Sequence, residues 1–407
     1  MPGRKTLIIT APPTILGGAA TLARIMADHL GALGHAVTVA HYATLSAERE
    51  LTGSLARLLR GGRPGTRRYT AWDGTAFVSV GCWLPELETP YYLDSRLWRR
   101  LVGAHDRYLA VGGTALVAAP LVAAGVPHLI WCASDMLGDR IDRRRAMAPW
   151  RRAYDRVCVA PFLAALERRI LAGRGRVMGV SAYTVERLRA VCGEASRPIV
   201  CLPVPVDGAR FRPPETPPAP GVVGFIGRLS DPRKNAALLL DAVALARRQG
   251  HDITAVLAGE RPPDLVAYAA RIGLADQVGF PGHVDEADLP AFYQGLDVFV
   301  IPSRQEGLNI AGVQAAASGV PIISTRCGGP EGYVTDGVTG FLTGFDAAQI
   351  AARITQVVTD RPLRDTLAAN ARAMAEAEYA KGVFARTLDE EWRRNWDEGV
   401  DEGVEGP

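Results

Sequence analysis

One stretch restricts the possible folds of this chain more than any other. It comprises residues 303–332, SRQEGLNIAGVQAAASGVPIISTRCGGPEG. The apolar run 298–301 comes directly before them and predicts a buried strand. Asn309 can cap a helix with a small, apolar face, and 320–324 predicts a second short strand. A strand, a turn, a helix and a strand in this order form a βαβ unit of a parallel sheet. The N-terminus of its helix offers unpaired backbone N–H groups, which makes it a site for a phosphate.

The same alternation of strands and helices runs through both halves of the chain, which predicts an α/β fold. A strand at 6–10 and a helix at 19–34 open the series in the first half. A strand at 222–227 and a helix at 234–247 begin it again in the second half. A Pro-rich stretch between the halves has the composition of a linker, and the acidic, Gly-rich C-terminus that of a disordered tail. We therefore predict an N-terminal domain at 1–212, a linker at 213–221, a C-terminal domain at 222–382 and a disordered tail at 397–407.

Charge is distributed unevenly over the chain. Residues 1–203 contain 27 Lys and Arg against 15 Asp and Glu, whereas the rest contains 19 against 28, although the net charge is only +3. A solvated basic face accounts for the excess of positive charge in the first half. Alternatively, this charge serves to bind an anionic acceptor, to bind an anionic membrane surface or to attract the two lobes to each other.

The cysteines and the apolar runs indicate the class of protein. The 6 cysteines are scattered without the spacing of zinc ligands, so we expect reduced thiols and no metal. No apolar run reaches the roughly 18 residues of a membrane span. The N-terminus, MPGRKTLIIT, predicts a first strand instead of a signal peptide, so we expect a cytoplasmic protein.

Several motifs of the second half resemble one family of enzymes. EGLNIAGVQ, which begins at Glu306, resembles the E-x7-E element of the retaining glycosyltransferases of family 4, which have the GT-B fold. GGPEGYV and DGVTGFL, at 328–334 and 336–342, also match that family's pattern. The chain departs from this element at one position, where Gln314 replaces the second glutamate. The resemblance implies two Rossmann-like domains facing each other across a cleft, with the C-terminal helix 383–396 crossing back to the first domain.

In the resembled family, a basic turn neutralises the diphosphate leaving group of a nucleotide sugar. Here that turn is GRLSDPRKN, which carries Arg228 and Lys234. A guanidinium, an ammonium and helix N–H groups can together stabilise a diphosphate, so we assign this catalytic role to both residues. Because lysine is rare in this chain, an ordinary surface turn is the less favoured explanation. The base pocket of the family corresponds to the stretch around His283.

The resemblance also assigns donor-binding roles around the phosphate-binding helix. It implies that Glu306 binds a hydroxyl of the donor sugar or supports the positive charge that develops on it. Gly307 forms the turn before the helix, and the backbone N–H groups of Leu308 and Asn309 should hold the phosphate. Gln314 is expected to reach the ribose, whose diol accepts an amide nearly as well as a carboxylate.

The first domain offers fewer motifs. Gly17 and Gly18 lie at the entrance of the first helix, where the family places donor phosphates or the acceptor; a plain tight turn is the alternative. Asp135 follows a strand end, so we predict acceptor binding or proton acceptance, with capping of the next segment as the alternative. The basic segment 43–73 is expected to be a mobile loop with some helix near the acceptor. Four aromatic residues form either an acceptor wall or a satellite core: Trp83, Tyr91, Tyr92 and Trp98.

These features predict a retaining glycosyltransferase that moves a sugar from a nucleotide-sugar donor to a hydroxyl of a small-molecule acceptor, such as an aminocyclitol, an inositol or another natural-product scaffold. Because we find no convincing DxD pair and no clear enzyme nucleophile, we expect a metal-independent, same-face displacement. A membrane-surface enzyme acting on a lipid or polysaccharide is one alternative. A sugar-nucleotide epimerase or a non-catalytic nucleotide-sugar-binding protein is another alternative. The only feature that favours it is the replacement of the second glutamate by Gln314. No nucleic-acid partner is expected.

Overall fold

The structure, a computed structural model, describes residues 4–13, 18–145, 147–193, 198–216 and 218–397. The chain forms two compact units: Met1–Leu202 with Ala385–Pro407, and Pro203–Phe384. Each unit contains a mainly parallel sheet with helices, as the alternation of elements predicts. Within the described part of the chain, no helix is both long and apolar enough to cross a lipid bilayer.

An eight-stranded sheet forms the centre of the first unit. Its strands are β1 (Lys5–Thr10), β2 (Ala36–Tyr42), β3 (Thr66–Ala71), β4 (Thr75–Val80), β5 (Arg107–Gly112), β6 (Leu129–Cys132), β7 (Arg176–Gly179) and β8 (Val200–Cys201). Their order is β3-β4-β2-β1-β5-β6-β7-β8, and every pairing is parallel except that of β3 with β4. β1 is buried from its second residue to its last, because helices cover both faces of a parallel sheet.

Helices flank this sheet along the chain. They are α1 (Gly18–Ala32), α2 (Leu55–Leu58), α3 (Arg96–Val102), α4 (Ala119–Ala124), α5 (Met136–Arg145), α6 (Pro149–Tyr154), α7 (Ala160–Leu171) and α8 (Ala182–Cys192). In α1, Leu22, Met26 and Leu30 recur at helical spacing and are buried, which gives the helix its apolar face. A π-helical turn, Asp155–Val159, joins α6 to α7.

A six-stranded, all-parallel sheet forms the centre of the second unit. Its strands are β9 (Val222–Ile226), β10 (Thr254–Ala258), β11 (Val278–Gly282), β12 (Val298–Ile301), β13 (Ile322–Thr325) and β14 (Gly340–Thr343), in the order β11-β10-β9-β12-β13-β14. Its helices are α9 (Ala236–Arg248), α10 (Pro263–Arg271), α11 (Leu289–Gln294), α12 (Ile310–Ala317), α13 (Ala347–Thr359) and α14 (Arg361–Glu378). All four residues of β12 are buried, as its apolar run predicts.

The last helix, α15 (Lys381–Trp396), packs on the first unit through its C-terminal part. Trp392 is fully buried, and its ring lies edge-on to that of His35 with 5.3 Å between the centroids. Arg176 donates a hydrogen bond to the buried carboxylate of Glu391. Residues 385–396 of this helix thus belong to the first unit.

The basic segment 43–73 contains a strand that the sequence pattern did not predict. β3 pairs antiparallel with β4, and the turn between them, Trp72-Asp73-Gly74, has positive φ at all three residues. β3 lies at the edge of the sheet with most of its residues exposed, so TRRYTA lacks the apolar alternation of a half-buried strand. A polar edge strand therefore resembled a loop in the sequence.

The two units divide after Leu202, earlier than the boundary at 212/213 that composition indicated. The backbone N–H of Val206 donates to the carbonyl of Tyr379 at 2.8 Å. The ring of Phe211 lies 5.9 Å from that of Tyr293. Residues 203–212 therefore pack on the second unit. Of the predicted tail, only Asp397 lies within the described residues.

Candidate functional site

Sheet topology indicates where the second unit can bind a ligand. The chain runs from β9 to β10 and β11 on one side, and then returns to β12 on the other side of β9. The carboxyl ends of β9 and β12 therefore form a switch point, where open α/β sheets bind ligands in a crevice. The predicted residues Arg228, Lys234 and Glu306 all lie in the loops that follow these two strands.

Close backbone contacts hold the loop that follows β9. Gly259 has a φ of 138°, and a Cβ there would lie 2.0 Å from the carbonyl oxygen of Gly227, so glycine lets the two strand ends approach. Glu260 accepts hydrogen bonds from the backbone N–H of Ser230, at 2.9 Å, and from its hydroxyl. Burial alone would raise the pKa of Glu260, but these hydrogen bonds lower it overall. The ionised carboxylate thus holds the loop against the end of β10.

Arg228 is oriented by a carboxylate of the same loop. Its Nη2 donates to Asp231 at 2.8 Å, and Arg233 donates to the same carboxylate at 2.9 Å. Burial alone would raise the pKa of Asp231, but the hydrogen bonds from Arg233 and the charges of both arginines lower it overall. The Arg228 side chain is 42% exposed, so it is accessible to a ligand.

Lys234 and Glu306 form an ion pair that joins the loops after β9 and β12. The Lys234 Nζ lies 2.7 Å from Oε1 and 3.0 Å from Oε2 of Glu306. The exposed fractions of the two side chains are only 19% and 9%, so water screens this pair less than a surface ion pair. Two residues to which the resemblance gave separate roles therefore contact each other directly.

Two further donors hold the Glu306 carboxylate. Ser303 Oγ donates to it at 2.6 Å and Asn309 Nδ2 at 3.0 Å, and Ser303 is fully buried. A carboxylate with one ammonium and two neutral donors has a fixed orientation and little free electron density for nucleophilic attack. Sequence reasoning missed the contact from Ser303. The spacing in the sequence could have indicated this contact, because the two donors lie three residues before and three residues after Glu306.

Asn309 also begins α12. Its side-chain oxygen accepts the backbone N–H of Gly312 at 2.9 Å, and its own φ is +66°. This is the cap that the sequence predicts. Because the first N–H groups of a helix have no intrahelical partner, α12 presents its positive end at Asn309. That end lies beside the Lys234–Glu306 pair, since the Asn309 amide contacts Glu306.

The turn before α12 fits closely against the segment that follows β13. A Cβ on Gly329 would lie 2.3 Å from the carbonyl oxygen of Gly307 and 2.5 Å from the Cα of Leu308. A Cβ on Gly312 would lie 2.2 Å from the hydroxyl of Tyr333. Glycine at both positions therefore sets the distance between this segment and the N-terminus of α12.

Gln314, the residue that replaces the family's glutamate, contacts Tyr293. The phenol donates to Gln314 Oε1 at 2.9 Å. Tyr293 is fully buried, and burial raises its pKa, so it stays a neutral donor. The Tyr293 hydroxyl thus occupies the amide oxygen of Gln314, and the amide N–H₂ group is the hydrogen-bond donor of this side chain.

The remaining predicted donor residues lie away from this cluster. His283 is exposed and follows β11, which is two strands from β9, about 10 Å at the usual strand spacing. Gly18 begins α1 in the first unit, and a Cβ there would meet no atom within 4 Å. Gly17 lies outside the described residues.

Asp135 is engaged within the first unit. Its carboxylate accepts two hydrogen bonds from Arg187, both at 2.9 Å, and one from the backbone N–H of Gly138 in the first turn of α5, also at 2.9 Å. Burial alone would raise its pKa, but these hydrogen bonds lower it overall. A paired carboxylate with a lowered pKa is a poor proton acceptor, so these contacts support the capping alternative.

A second carboxyl group lies near Asp135. Both oxygens of Glu167 accept the backbone N–H of Met136, at 2.9 and 3.1 Å. Burial, together with the charge of Asp135, raises the pKa of Glu167 to about 8. The start of α5 therefore rests on two carboxyl groups whose pKa values are shifted in opposite directions.

The four candidate wall residues do not share one environment. Trp98 is buried, and its ring lies 5.0 Å from that of Tyr42. Tyr91 and Tyr92 also pack against Tyr42, with ring distances of 6.3 and 5.7 Å. Trp83 is the exposed member. Three of the four thus belong to the core of the first unit, which is the alternative interpretation of these residues.

Comparisons with known proteins agree with this geometry. Residues 220–360, which include Arg228 and the Lys234–Glu306 pair, match the family model described as "Glycosyl transferases group 1". A curated D-inositol 3-phosphate glycosyltransferase from Nocardia farcinica is 28% identical over 213 residues. That match spans 48% of this chain and only 47% of the relative.

Solved structures share the fold of nearly the whole chain. Sucrose-phosphate synthase from Thermosynechococcus elongatus has a TM-score of 0.72 and 18% identity, over 97% of this chain and 100% of that chain. Anabaena HepE, in complex with UDP-glucose, has a TM-score of 0.70 and 19% identity, over 96% and 100%. The predicted fold class is confirmed, and the predicted enzyme class agrees with these findings. The chain therefore has the GT-B fold, and its residues 220–360 match the family model of the group 1 glycosyl transferases.

Proposed function

We propose that the protein is a retaining glycosyltransferase that moves a sugar from a nucleotide-sugar donor to a hydroxyl of a small-molecule acceptor. One observation carries the proposal: at the switch point of the second sheet, Lys234 contacts Glu306 beside the capped N-terminus of α12. An ammonium group and the positive end of a helix at one place suit a diphosphate. The match of residues 220–360 to the glycosyl transferases supports the same assignment.

In this proposal, the donor diphosphate is held by four groups: Lys234, Arg228 and the backbone N–H groups of Leu308 and Asn309. Negative charge grows on the leaving phosphate as the anomeric bond breaks. Donors that are already oriented stabilise this charge without reorganisation. Arg228 fits this role because Asp231 orients a guanidinium that is still accessible. Gln314 donates its amide N–H to the ribose while Tyr293 occupies its oxygen.

Glu306 binds a hydroxyl of the donor sugar and does not attack the anomeric carbon. The support is its set of three donors, Lys234, Ser303 and Asn309, which make a carboxylate a weak nucleophile. The acceptor oxygen then bonds to the anomeric carbon on the face that the nucleoside diphosphate leaves. The leaving phosphate oxygen takes the acceptor proton. A glycosyl–enzyme adduct on Glu306, detected by mass spectrometry, would refute this mechanism.

A hydroxylated small molecule such as inositol or an aminocyclitol is the proposed acceptor. The relative named for D-inositol 3-phosphate supports this class. The arginine-rich first unit suits an acceptor that carries an anionic group, because guanidinium groups bind phosphate and carboxylate in two-pronged geometry.

The test is a turnover assay with UDP, GDP, ADP and TDP sugars, each with and without a panel of cyclitols and inositol phosphates. We expect nucleoside diphosphate to appear only when donor and acceptor are both present. We expect the product to keep the anomeric configuration of the donor, as measured by NMR. Nucleotide binding without turnover would favour a non-catalytic binder, and acceptor-independent conversion of the donor sugar would favour an epimerase.

Metal independence is part of the proposal and has its own control. Among the residues that the structure describes, no three His, Cys, Asp or Glu side chains are grouped so that they could hold a metal ion. We expect the rate to be unchanged after treatment with EDTA. A rate that falls and is restored by Mg²⁺ or Mn²⁺ would overturn this part of the proposal.

A further inference from the structure

Large apolar side chains are exposed mainly in the first unit. In the described part of the second unit, two such side chains stand out, Val338 and Phe345. In the first unit, seven lie on α2, on α5, on α6 and in the turns next to them: Leu55, Leu59, Leu87, Leu137, Ile141, Trp150 and Val157. Leu59, Trp150 and Val157 are the most exposed, at 83%, 72% and 73%. Exposed apolar residues in one region usually mark an interaction surface.

Hydrogen bonds join the segments that carry these side chains. The backbone N–H of Leu55 donates to Glu86 at 3.0 Å. Arg151 of α6 donates to the carbonyl of Glu86 at 3.2 Å and to the carboxylate of Glu88 at 3.4 Å. Arg140 of α5 donates twice to Glu88, at 2.6 and 2.9 Å. The segments that carry these seven apolar side chains are therefore neighbours in the first unit, and we call their exposed side the arginine-apolar surface.

The acidic side chains of the longest element in this surface are buried. Asp155 is fully buried between Arg140 and Arg144, which donate to it at 2.7 and 2.8 Å. Glu167 is also buried. The exposed charged side chains on the continuous helical segment 149–171 are therefore all positive: Arg152, Arg156, Arg168 and Arg169.

An apolar stripe runs along the exposed side of the same segment. Trp150, Ala153, Val157 and Pro161 are all exposed and recur three to four residues apart, which places them on one face of the helix. Arg152 and Arg156 flank this stripe. A stripe with tryptophan, bordered by arginines on a water-facing helix, is typical of helices that lie in the interface of a membrane.

We propose that the arginine-apolar surface docks on a lipid bilayer that contains anionic headgroups. Trp150 and Val157 enter the boundary between headgroups and acyl chains, and Arg152 and Arg156 bind lipid phosphates. A second copy of this chain would bring the same arginines together, and like charges repel. A nucleic acid would leave the apolar side chains in water. A bilayer accommodates both features, and the proposal does not depend on which donor or acceptor the protein uses.

The first experiment is co-sedimentation of the full chain with vesicles of phosphatidylcholine alone or mixed with phosphatidylglycerol. We expect the wild type to pellet with the mixed vesicles, and binding to weaken as salt increases. The double variant Trp150→Ser/Val157→Ser should bind at least about tenfold more weakly, which corresponds to about 1.4 kcal/mol. Arg152→Gln/Arg156→Gln should weaken binding only to the mixed vesicles.

The matched control is Val338→Ser/Phe345→Ser in the second unit, which replaces two exposed apolar side chains outside the surface. This variant should pellet like the wild type. Thermal unfolding of every variant checks that it is folded, and all these side chains are exposed, so little loss of stability is expected. Quenching of tryptophan fluorescence by brominated lipid gives a second measurement. The quenching should decrease sharply in Trp150→Phe, because this variant lacks the tryptophan that enters the bilayer but keeps an apolar ring for binding.

Several results would overturn the proposal. One is that the wild type stays in the supernatant with both kinds of vesicle. Another is that the two apolar double variants lose binding equally, or that brominated lipid quenches Trp150→Phe as strongly as the wild type. A third is that gel filtration shows self-association that only Trp150→Ser/Val157→Ser abolishes, because the surface would then be covered by a second copy of the chain.

Discussion

Replacing Lys234 by methionine tests the central ion pair of the candidate site. The substitution keeps an apolar stem of similar length and removes the ammonium that lies 2.7 Å from Glu306. Two effects are expected. The Glu306 carboxylate loses its counter-charge, which lowers stability, and the donor diphosphate loses one of its cations, which lowers affinity.

The size of the stability effect follows from burial. Removing one partner of a buried ion pair costs about 3–5 kcal/mol. We expect about 3 kcal/mol, the lower end, because Lys234 is 19% exposed and Ser303 and Asn309 still donate to Glu306. For a domain of this size, that lowers the unfolding temperature by about 6–12 °C. A lost hydrogen bond to a charged group, about 1.5–3 kcal/mol, weakens nucleotide binding about 10–150-fold.

A second substitution separates the two effects. In Lys234→Met/Glu306→Gln no unpaired carboxylate remains, so most of the lost stability should return, while nucleotide binding stays weak. The matched control is Lys381→Met, because Lys381 Nζ lies 2.6 Å from Asp207 but its side chain is 70% exposed. That surface pair should contribute less than about 1 kcal/mol and should leave nucleotide binding unchanged.

The assay is thermal unfolding with UDP, GDP, ADP and TDP sugars, followed by calorimetric titration with the best of them. The assignment is wrong if no nucleotide stabilises the wild type, or if Lys234→Met responds to nucleotide as Lys381→Met does. Recovery of nucleotide binding in the double variant would mean that Lys234 acts only by neutralising Glu306.

Three further predictions concern single residues. Gly329→Ala should raise the donor KM and cost about 1–3 kcal/mol of stability, because its Cβ would lie 2.3 Å from the Gly307 carbonyl; normal kinetics would contradict this. The folded-state pKa of Glu167 is raised from 4.5 to about 8, so its contribution to stability falls as pH rises between these values. Unfolding of Glu167→Gln from pH 5 to 8 should thus show a growing advantage over the wild type, by at most about 1.4 kcal/mol per pH unit, and a constant difference would refute it. Gln314→Ala should raise the donor KM about tenfold with a smaller change in kcat, whereas an unchanged KM would exclude the ribose contact.

Local pattern predicted most of the secondary structure that positions the site. The buried strand 298–301, the cap at Asn309 and the helix after it are found as predicted, because apolar runs and capping residues act over a few positions of the chain. β3 was missed for the same reason, since an exposed edge strand carries no apolar alternation. The roles assigned to the individual site residues remain predictions, which the experiments above test.

Sequence by itself determined the alternating strands and helices, and its resemblance to a known family predicted the GT-B fold and the residues proposed to bind a diphosphate. Tertiary structure alone decided which of these residues contact each other. Lys234 and Glu306 are 72 positions apart, and they meet because β9 and β12 are neighbours in the sheet. Asp135 and Arg187, 52 positions apart, pair in the same way, and this pairing supports the capping role of Asp135 over proton acceptance. Patterns over a few residues indicate the periodicity of a helix or a strand. The order of strands in a sheet depends on how the whole chain packs, and every side-chain pairing across the sheet depends on that order.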